Sequence, residues 1–142
     1  MKKALRYLTA GLILVWGVST LAWAAEQMKD LESTPQGKMY RTQEKAIKAG
    51  DYEAYKKTMT KASAAGMDKQ TKEMNMDSKK AMEFMKAMLP EALKFTSLKV
   101  DKNKATMMAT GNIAGEANKG TIEFEQEDGQ WKIVKQSWTN AK

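Results

Sequence analysis

The sequence has 142 residues, with 24 lysines and arginines against 17 aspartates and glutamates, and it contains neither cysteine nor histidine. This composition excludes disulfides, thiol chemistry and a catalytic triad of the usual histidine-dependent form. Lys2, Lys3 and Arg6 account for three of the positive charges, so residues 25–142 carry a net charge of only +4 and do not indicate a nucleic-acid-binding protein.

The first 24 residues have the pattern of a secretory signal peptide. A basic start precedes an apolar run from Tyr7 to Val18, and small residues stand two apart at Ala22 and Ala24. The run is shorter than the ~20 apolar residues that span a bilayer, which argues against a retained anchor. We therefore predict cleavage after Ala24, a periplasmic or secreted location, and no stable membrane anchor after cleavage.

Residues 25–33 are polar and lack any period, so they are predicted to be a flexible leader to a single domain at residues 34–142. Thr34 and Pro35 are typical of a helix N-terminus. Gly50 is predicted to end this first helix, whose inner face includes Met39, Gln43, Ala46 and Ile47.

Two more helices are predicted before the sheet. Asp51 is a suitable N-cap for the second, in which Tyr52, Tyr55, Met59 and Ala62 recur at spacings of three and four. Residues 67–77 are charged and weakly patterned, and we predict a loop there. The third helix is predicted to start near residues 77–78 and to end before Pro90.

After residue 90 the apolar period becomes that of strands, and about four antiparallel strands are predicted. Residues 115–120 are predicted to be a turn bounded by glycines. Asp128 and Gly129 lie between two alternating runs, which is the strongest short-range signal of a β-hairpin. Val134 interrupts the alternation and predicts either a bulge or a change of face before Trp138. Helices followed by strands indicate an α+β fold in which three N-terminal helices pack on a curved antiparallel sheet.

Three stretches resemble the nuclear-transport-factor-2-like superfamily, closest to its small exported bacterial members of unknown function. They read TPQGKMYRTQEKAIKAGDYEAYKKTMT, SLKVDKNKATMMATG and GTIEFEQEDGQWKIVKQSW. The most specific parts are residues 50–52 and 128–133, so Gly50, Asp51, Asp128, Gly129 and Trp131 are interpreted as structural anchors. The resemblance implies a cone-like domain with a pocket at its open end, and homodimers that pair through the sheet face.

The resemblance does not imply an activity, because relatives of this fold include both enzymes and binding proteins. A pocket is predicted to be lined by four aromatic residues, Tyr40, Tyr52, Tyr55 and Trp138, and to hold a small apolar ligand. The acid and base residues of ketosteroid isomerase have no counterparts here. We therefore expect a non-catalytic binding or accessory domain without a cofactor, whose partner is a small ligand or an envelope protein. The alternative is an isomerase or dehydratase of the same fold.

Methionine is unusually frequent, with 11 after residue 24. Met74, Met76, Met82 and Met85 lie close together in sequence, and their thioethers suit Cu(I), which makes an envelope copper(I) binder a second alternative. Methionines on one helical face are more often core residues, and this explains Met82 and Met85 without a metal. Met74 and Met76 lie outside that face, so they distinguish the two interpretations.

Overall fold

The computed structural model describes residues 30–142, so the predicted signal peptide, its cleavage site after Ala24 and leader residues 25–29 lie outside the described residues. A 3₁₀ turn at Leu31–Ser33 is followed by four helices and four strands. The helices are α1 (Pro35–Ala49), α2 (Tyr52–Lys57), α3 (Lys61–Glu73) and α4 (Ser78–Ala87). The strands are β1 (Glu91–Asp101), β2 (Lys104–Ile113), β3 (Glu116–Glu127) and β4 (Gln130–Asn140). None of the described helices is long and apolar enough to cross a membrane.

The helix ends follow the capping residues. The Thr34 hydroxyl oxygen accepts the N–H of Gly37 at 3.1 Å, and an Asp51 carboxylate oxygen accepts the N–H of Ala54 at 2.9 Å. Gly50 ends α1 with φ of 71°, in the left-handed region that glycine adopts without a steric cost. These three positions place α1 and the start of α2 where the sequence predicts them.

The second predicted helix is two helices, because the chain between them pairs with strand β4. Met59 forms a parallel bridge with Ile133. The N–H of Ile133 donates to the Thr58 carbonyl at 2.9 Å, and the N–H of Thr60 donates to the Ile133 carbonyl at 3.1 Å. These bonds replace helical ones, and the Thr60 hydroxyl then caps α3 through Ser63. Helix α3 continues to Glu73, so the prediction of a loop over residues 67–77 is wrong for most of its length.

The strands form one antiparallel sheet in the order β1-β2-β3-β4. The β3–β4 turn has positive φ at both Asp128 and Gly129, as the sequence predicts. The β2–β3 turn is Ala114–Gly115, so residues 116–120 belong to β3 rather than to the predicted turn. Pairing steps from Glu123–Lys135 to Phe124–Ile133, which confirms the bulge at Val134. The α+β arrangement with a curved sheet is also confirmed.

The core consists of two clusters of buried side chains. The first joins α1 to the inner face of the sheet, and the second joins α1, α2 and α4. The first cluster includes Leu31, so the packed domain begins three residues before Thr34, and the prediction of a flexible leader is wrong for residues 31–33. The second cluster consists of Ala46, Ile47, Tyr55 and Met82.

Trp131 lies at the border of the first cluster, where it is half-buried. Ile133, two residues later, is 1 % exposed and also carries the two backbone hydrogen bonds to the α2–α3 junction. The sequence assigns the contact between sheet and helices to Trp131. In the structure, Ile133 makes that contact most fully, because its side chain and its peptide groups both take part.

Candidate functional site

A cavity of about 450 Å³ lies between the helices and strand β4. This volume falls within the range of roughly 300–1,000 Å³ that is usual for small-molecule sites. All four helices and β4 contribute to its wall, which is mostly apolar. The lining residues are Tyr40, Ile47, Tyr55, Met67, Gln70, Thr71, Met74, Met76, Ala81, Phe84, Met85, Met88, Leu89, Pro90, Gln136 and Trp138.

Three of the four aromatic residues that the sequence assigns to a pocket line this cavity. They are Tyr40 on α1, Tyr55 on α2 and Trp138 on β4. Tyr52 does not line it, because its hydroxyl donates to a carboxylate oxygen of Asp68 at 2.9 Å and so connects α2 to α3. The Lys56 ammonium lies 5.0 Å above the Tyr52 ring and completes this contact outside the cavity.

Two tyrosine hydroxyls remain available inside the cavity. Tyr40 and Tyr55 are only 2 % and 6 % exposed, and neither hydroxyl has a hydrogen-bond partner among the described residues. No fully buried side-chain oxygen or nitrogen in the described part of the chain lacks a partner, so each of these hydroxyls has some accessible surface, and both tyrosines line the cavity. The Tyr40 ring is held edge-on against Phe95, with 5.6 Å between ring centroids.

Both phenols remain protonated near neutral pH. Burial raises the pKa of Tyr40 well above its usual value, and the nearby Glu44 carboxylate raises it further. Burial also raises the pKa of Tyr55. A protonated phenol inside an apolar cavity donates a hydrogen bond, so the two residues suit a ligand that carries an acceptor atom.

Buried hydrogen bonds connect the cavity wall to α1. Trp138 Nε1 donates to Gln136 Oε1 at 3.4 Å, and Gln136 Nε2 donates to Gln43 Oε1 at 2.7 Å. Gln43 Nε2 donates to Thr58 Oγ1 at 3.0 Å, and that hydroxyl donates to the Tyr55 carbonyl at 2.6 Å. The bonds fix Gln136 and Trp138 relative to the helices. The sequence places Gln43 on the inner face of α1 but does not identify its partners.

Gly120 is a site residue that sequence reasoning misses. It pairs with Trp138 across β3 and β4, and the Trp138 ring lies against the position that a Cβ on Gly120 would occupy, 2.7 Å from its nearest ring atoms. An aromatic ring that covers a glycine on the neighbouring strand is a recurrent way to protect a strand glycine. The Gly115–Gly120 spacing suggested a turn instead, and only strand register reveals the contact.

We expect Gly120→Ala to displace the Trp138 ring. The new methyl group would overlap the Trp138 ring, and the ring can tilt to make room for it. The free energy of unfolding should therefore fall by less than about 2 kcal/mol. Near-ultraviolet circular dichroism should change strongly, whereas the far-ultraviolet spectrum should not. An unchanged near-ultraviolet spectrum would contradict this position of Trp138. Ala117→Gly, at an exposed site on the same strand, is the control.

Three of the four methionines in the predicted copper set line the cavity, namely Met74, Met76 and Met85. The fourth, Met82, belongs to the second core cluster and has no part in this wall. Met67 and Met88, which are not in that set, complete a group of five thioethers around the same space.

None of the described residues that line the cavity carries a charged side chain. Among these lining residues, the titratable groups are the phenols of Tyr40 and Tyr55. Within residues 30–142, no group of three or more carboxylate side chains is arranged to hold a metal ion. The arrangement suits an uncharged, mainly apolar ligand that is oriented by a few hydrogen bonds.

Comparison with solved structures shows similarity of fold. A SEC-C motif-containing protein from Rhodopseudomonas palustris matches with a TM-score of 0.50 at 12 % identity, over 70 % of this chain and 74 % of that one. A designed protein with a curved β-sheet matches with a TM-score of 0.45 at 13 % identity, over 71 % and 92 % of the two chains. A protein of unknown function from Cytophaga hutchinsonii, described as NTF2-like, matches with a TM-score of 0.40 at 14 % identity, over 75 % and 89 %.

No protein-family model matches the sequence, and no curated protein is significantly similar to it. The element order of the domain and the first structural match agree with the α+β fold that the resemblance implies. The likeness extends to the fold alone, so the function has to be argued from the cavity.

Proposed function

We propose that this domain is a non-catalytic binding protein whose cavity takes a small, uncharged and mainly apolar ligand with a hydrogen-bond acceptor. The observation that carries the proposal is a mostly apolar cavity whose lining includes Tyr40 and Tyr55, two largely buried tyrosines whose hydroxyls have no hydrogen-bond partner among the described residues. A hydrogen bond from such a hydroxyl to a ligand acceptor contributes about 0.5–1.5 kcal/mol to binding.

The wall chemistry favours binding over catalysis. An isomerase or dehydratase moves protons between positioned acids and bases, whose pKa values lie near the working pH. Within residues 30–142, no carboxylate, lysine or arginine lines this cavity, and burial raises the pKa of both tyrosines away from neutrality. The enzyme alternative therefore has weaker support than the binding proposal.

The proposal also includes export, which rests on the pattern of residues 1–24. Pairing through the sheet face stays a prediction. Met108 is a large apolar side chain exposed on the outer face of the sheet, while Glu123 and Lys135 form an ion pair at 3.4 Å across β3 and β4 on the same face. A mixed surface of this kind suits a weaker contact than a fully apolar one.

A pair of matched probes tests the role of the hydroxyls. 1-Acetonaphthone has an apolar ring system with a carbonyl acceptor, and 1-ethylnaphthalene has nearly the same shape without the acceptor. We expect calorimetric titration to show tighter binding of the ketone. Tyr40→Phe and Tyr55→Phe should each weaken ketone binding by about threefold to tenfold, as expected for a hydrogen bond worth 0.5–1.5 kcal/mol. Neither variant should change the affinity for the hydrocarbon.

Tyr52→Phe is the control, because the Tyr52 hydroxyl is bonded to Asp68 outside the cavity. It should leave the affinities for both probes unchanged. Equal affinities for ketone and hydrocarbon, or an equal effect of all three variants, would overturn the proposed role of the two hydroxyls. If neither the ketone nor the hydrocarbon bound, the proposal of an apolar ligand cavity would be overturned.

A further inference from the structure

Five methionines line the same cavity, although they come from three segments of the chain. Met67 lies on α3, Met74 and Met76 lie in the connection after α3, and Met85 and Met88 lie on α4 or at its end. Nothing in the sequence period predicts this convergence, because residues 74 and 76 fall outside the apolar face of α4. The fold places them against that face by reversing the chain at residues 74–77.

The end of α3 determines where Met76 lies. The N–H of Met76 donates to the Thr71 carbonyl at 2.9 Å, and the N–H of Asn75 donates to the Lys72 carbonyl at 3.1 Å. Asn75 has φ of 51°, which completes a Schellman motif, one of the common helix ends. In this motif the residue after the left-handed position turns back towards the helix. The backbone therefore fixes Met76 at the cavity wall.

Core packing does not account for all five methionines. Met82 is a packed core residue and is fully enclosed, whereas Met74 is 55 % exposed and Met88 is also exposed. Their side chains line the cavity and are also accessible to solvent, so burial of apolar surface does not by itself explain methionine at these two positions. An ion from solvent can therefore reach these thioethers, which line the same cavity as the other three methionines.

The donor set selects a particular kind of cation. Thioethers are soft, uncharged ligands that prefer Cu(I) to hard or borderline divalent ions. In the part of the chain that the structure describes, no carboxylate lines the cavity to neutralise a second positive charge. The cost of transferring an ion out of water is much smaller for a single charge than for a double one. Chemistry and charge thus both favour a monovalent soft cation.

We propose that Met74, Met76 and Met85 form a binding site for a soft monovalent cation of the Cu(I) class in the wall of the cavity. Met67 and Met88 lie in the same wall and are additional thioether donors. The site is separate in chemistry from the tyrosine hydroxyls, so it does not depend on the apolar ligand proposed above. Binding involves no redox step, because the cation enters and leaves as Cu(I).

Anaerobic titration of the protein with Cu(I), against bicinchoninate as a competing chelator, tests the site. We expect one Cu(I) to bind per domain. Met74→Leu/Met76→Leu should weaken binding by at least about tenfold, since even outer-shell partners of a metal contribute that much. Met108→Leu is the matched control, because Met108 is exposed on β2 and does not line the cavity. It should bind Cu(I) as the parent does.

A second measurement identifies the donors without a variant. In protein labelled with methyl-¹³C methionine, Ag(I), which is stable in air, should shift the methyl signals of Met74, Met76 and Met85 but not those of Met107 and Met108. Parent protein that loses Cu(I) entirely to the chelator would overturn the proposal, as would a double variant that binds as tightly as the parent. Neither result affects the tyrosine-dependent ketone binding, so the two proposals fail separately.

Discussion

Ile133→Ala is expected to lower the free energy of unfolding by about 2–5 kcal/mol, the usual cost of truncating a buried isoleucine. The Ile133 side chain is 1 % exposed within the cluster that joins α1 to the sheet. Its peptide groups bond to Thr58 and Thr60 on either side of Met59, so the residue cannot shift into the space left by the lost atoms without straining those bonds. Urea denaturation followed by far-ultraviolet circular dichroism measures the change.

Trp131→Ala provides the comparison. The sequence alone expects this substitution to cost roughly 3–5 kcal/mol, on the assumption that the tryptophan is fully enclosed. In the structure its ring is half-buried at the border of the same cluster. We therefore expect a smaller loss than for Ile133→Ala. The reverse order would show that Trp131, not Ile133, makes the main contact between sheet and helices.

The features that the sequence predicts well are those determined by neighbouring residues. Thr34 and Asp51 bond to N–H groups three residues further on, and Asp128 with Gly129 supplies the two positive φ angles of a hairpin turn. Each interaction is complete within a few residues. A local pattern therefore contains the whole physical cause, and the element boundaries follow from it.

The features that the sequence misses depend on a distant partner. The break between α2 and α3 exists because Thr58 and Thr60 bond to Ile133, and no residue near the break indicates this. Leu31 likewise follows a polar stretch and is buried only because α1 and the sheet provide a place for it. The spacing of apolar residues predicts a helix or a strand, but it does not predict where that element contacts a distant part of the chain.

The candidate site shows the same division. Aromatic residue type alone was enough to select Tyr40, Tyr55 and Trp138, because large rings with one polar atom commonly line ligand sites. It also selected Tyr52, whose hydroxyl is instead bonded to Asp68. The Tyr52 hydroxyl is bonded because α3 places Asp68 beside it. The spacing of residues along α2 does not predict the position of α3.

Gly37→Ala is expected to destabilise the domain although it replaces a helical glycine with the best helix former. A methyl group on Gly37 would overlap the Leu31 carbonyl oxygen and would lie 3.1 Å from Glu32 Cα. Both are backbone atoms, so the 3₁₀ turn has to move away, and Leu31 then leaves the core. We expect the free energy of unfolding to fall by about 2–4 kcal/mol, from the lost burial of Leu31 and the overpacking.

Gly66→Ala is the matched control within α3. No atom lies within 4 Å of the position of its added methyl group. Relief of the glycine penalty should therefore raise the free energy of unfolding by roughly 0.5–1 kcal/mol. Thermal and urea unfolding of the two variants should thus shift in opposite directions. If Gly37→Ala were also stabilising, Leu31–Ser33 would not be packed against α1, and the domain would begin at Thr34 as the sequence alone suggests.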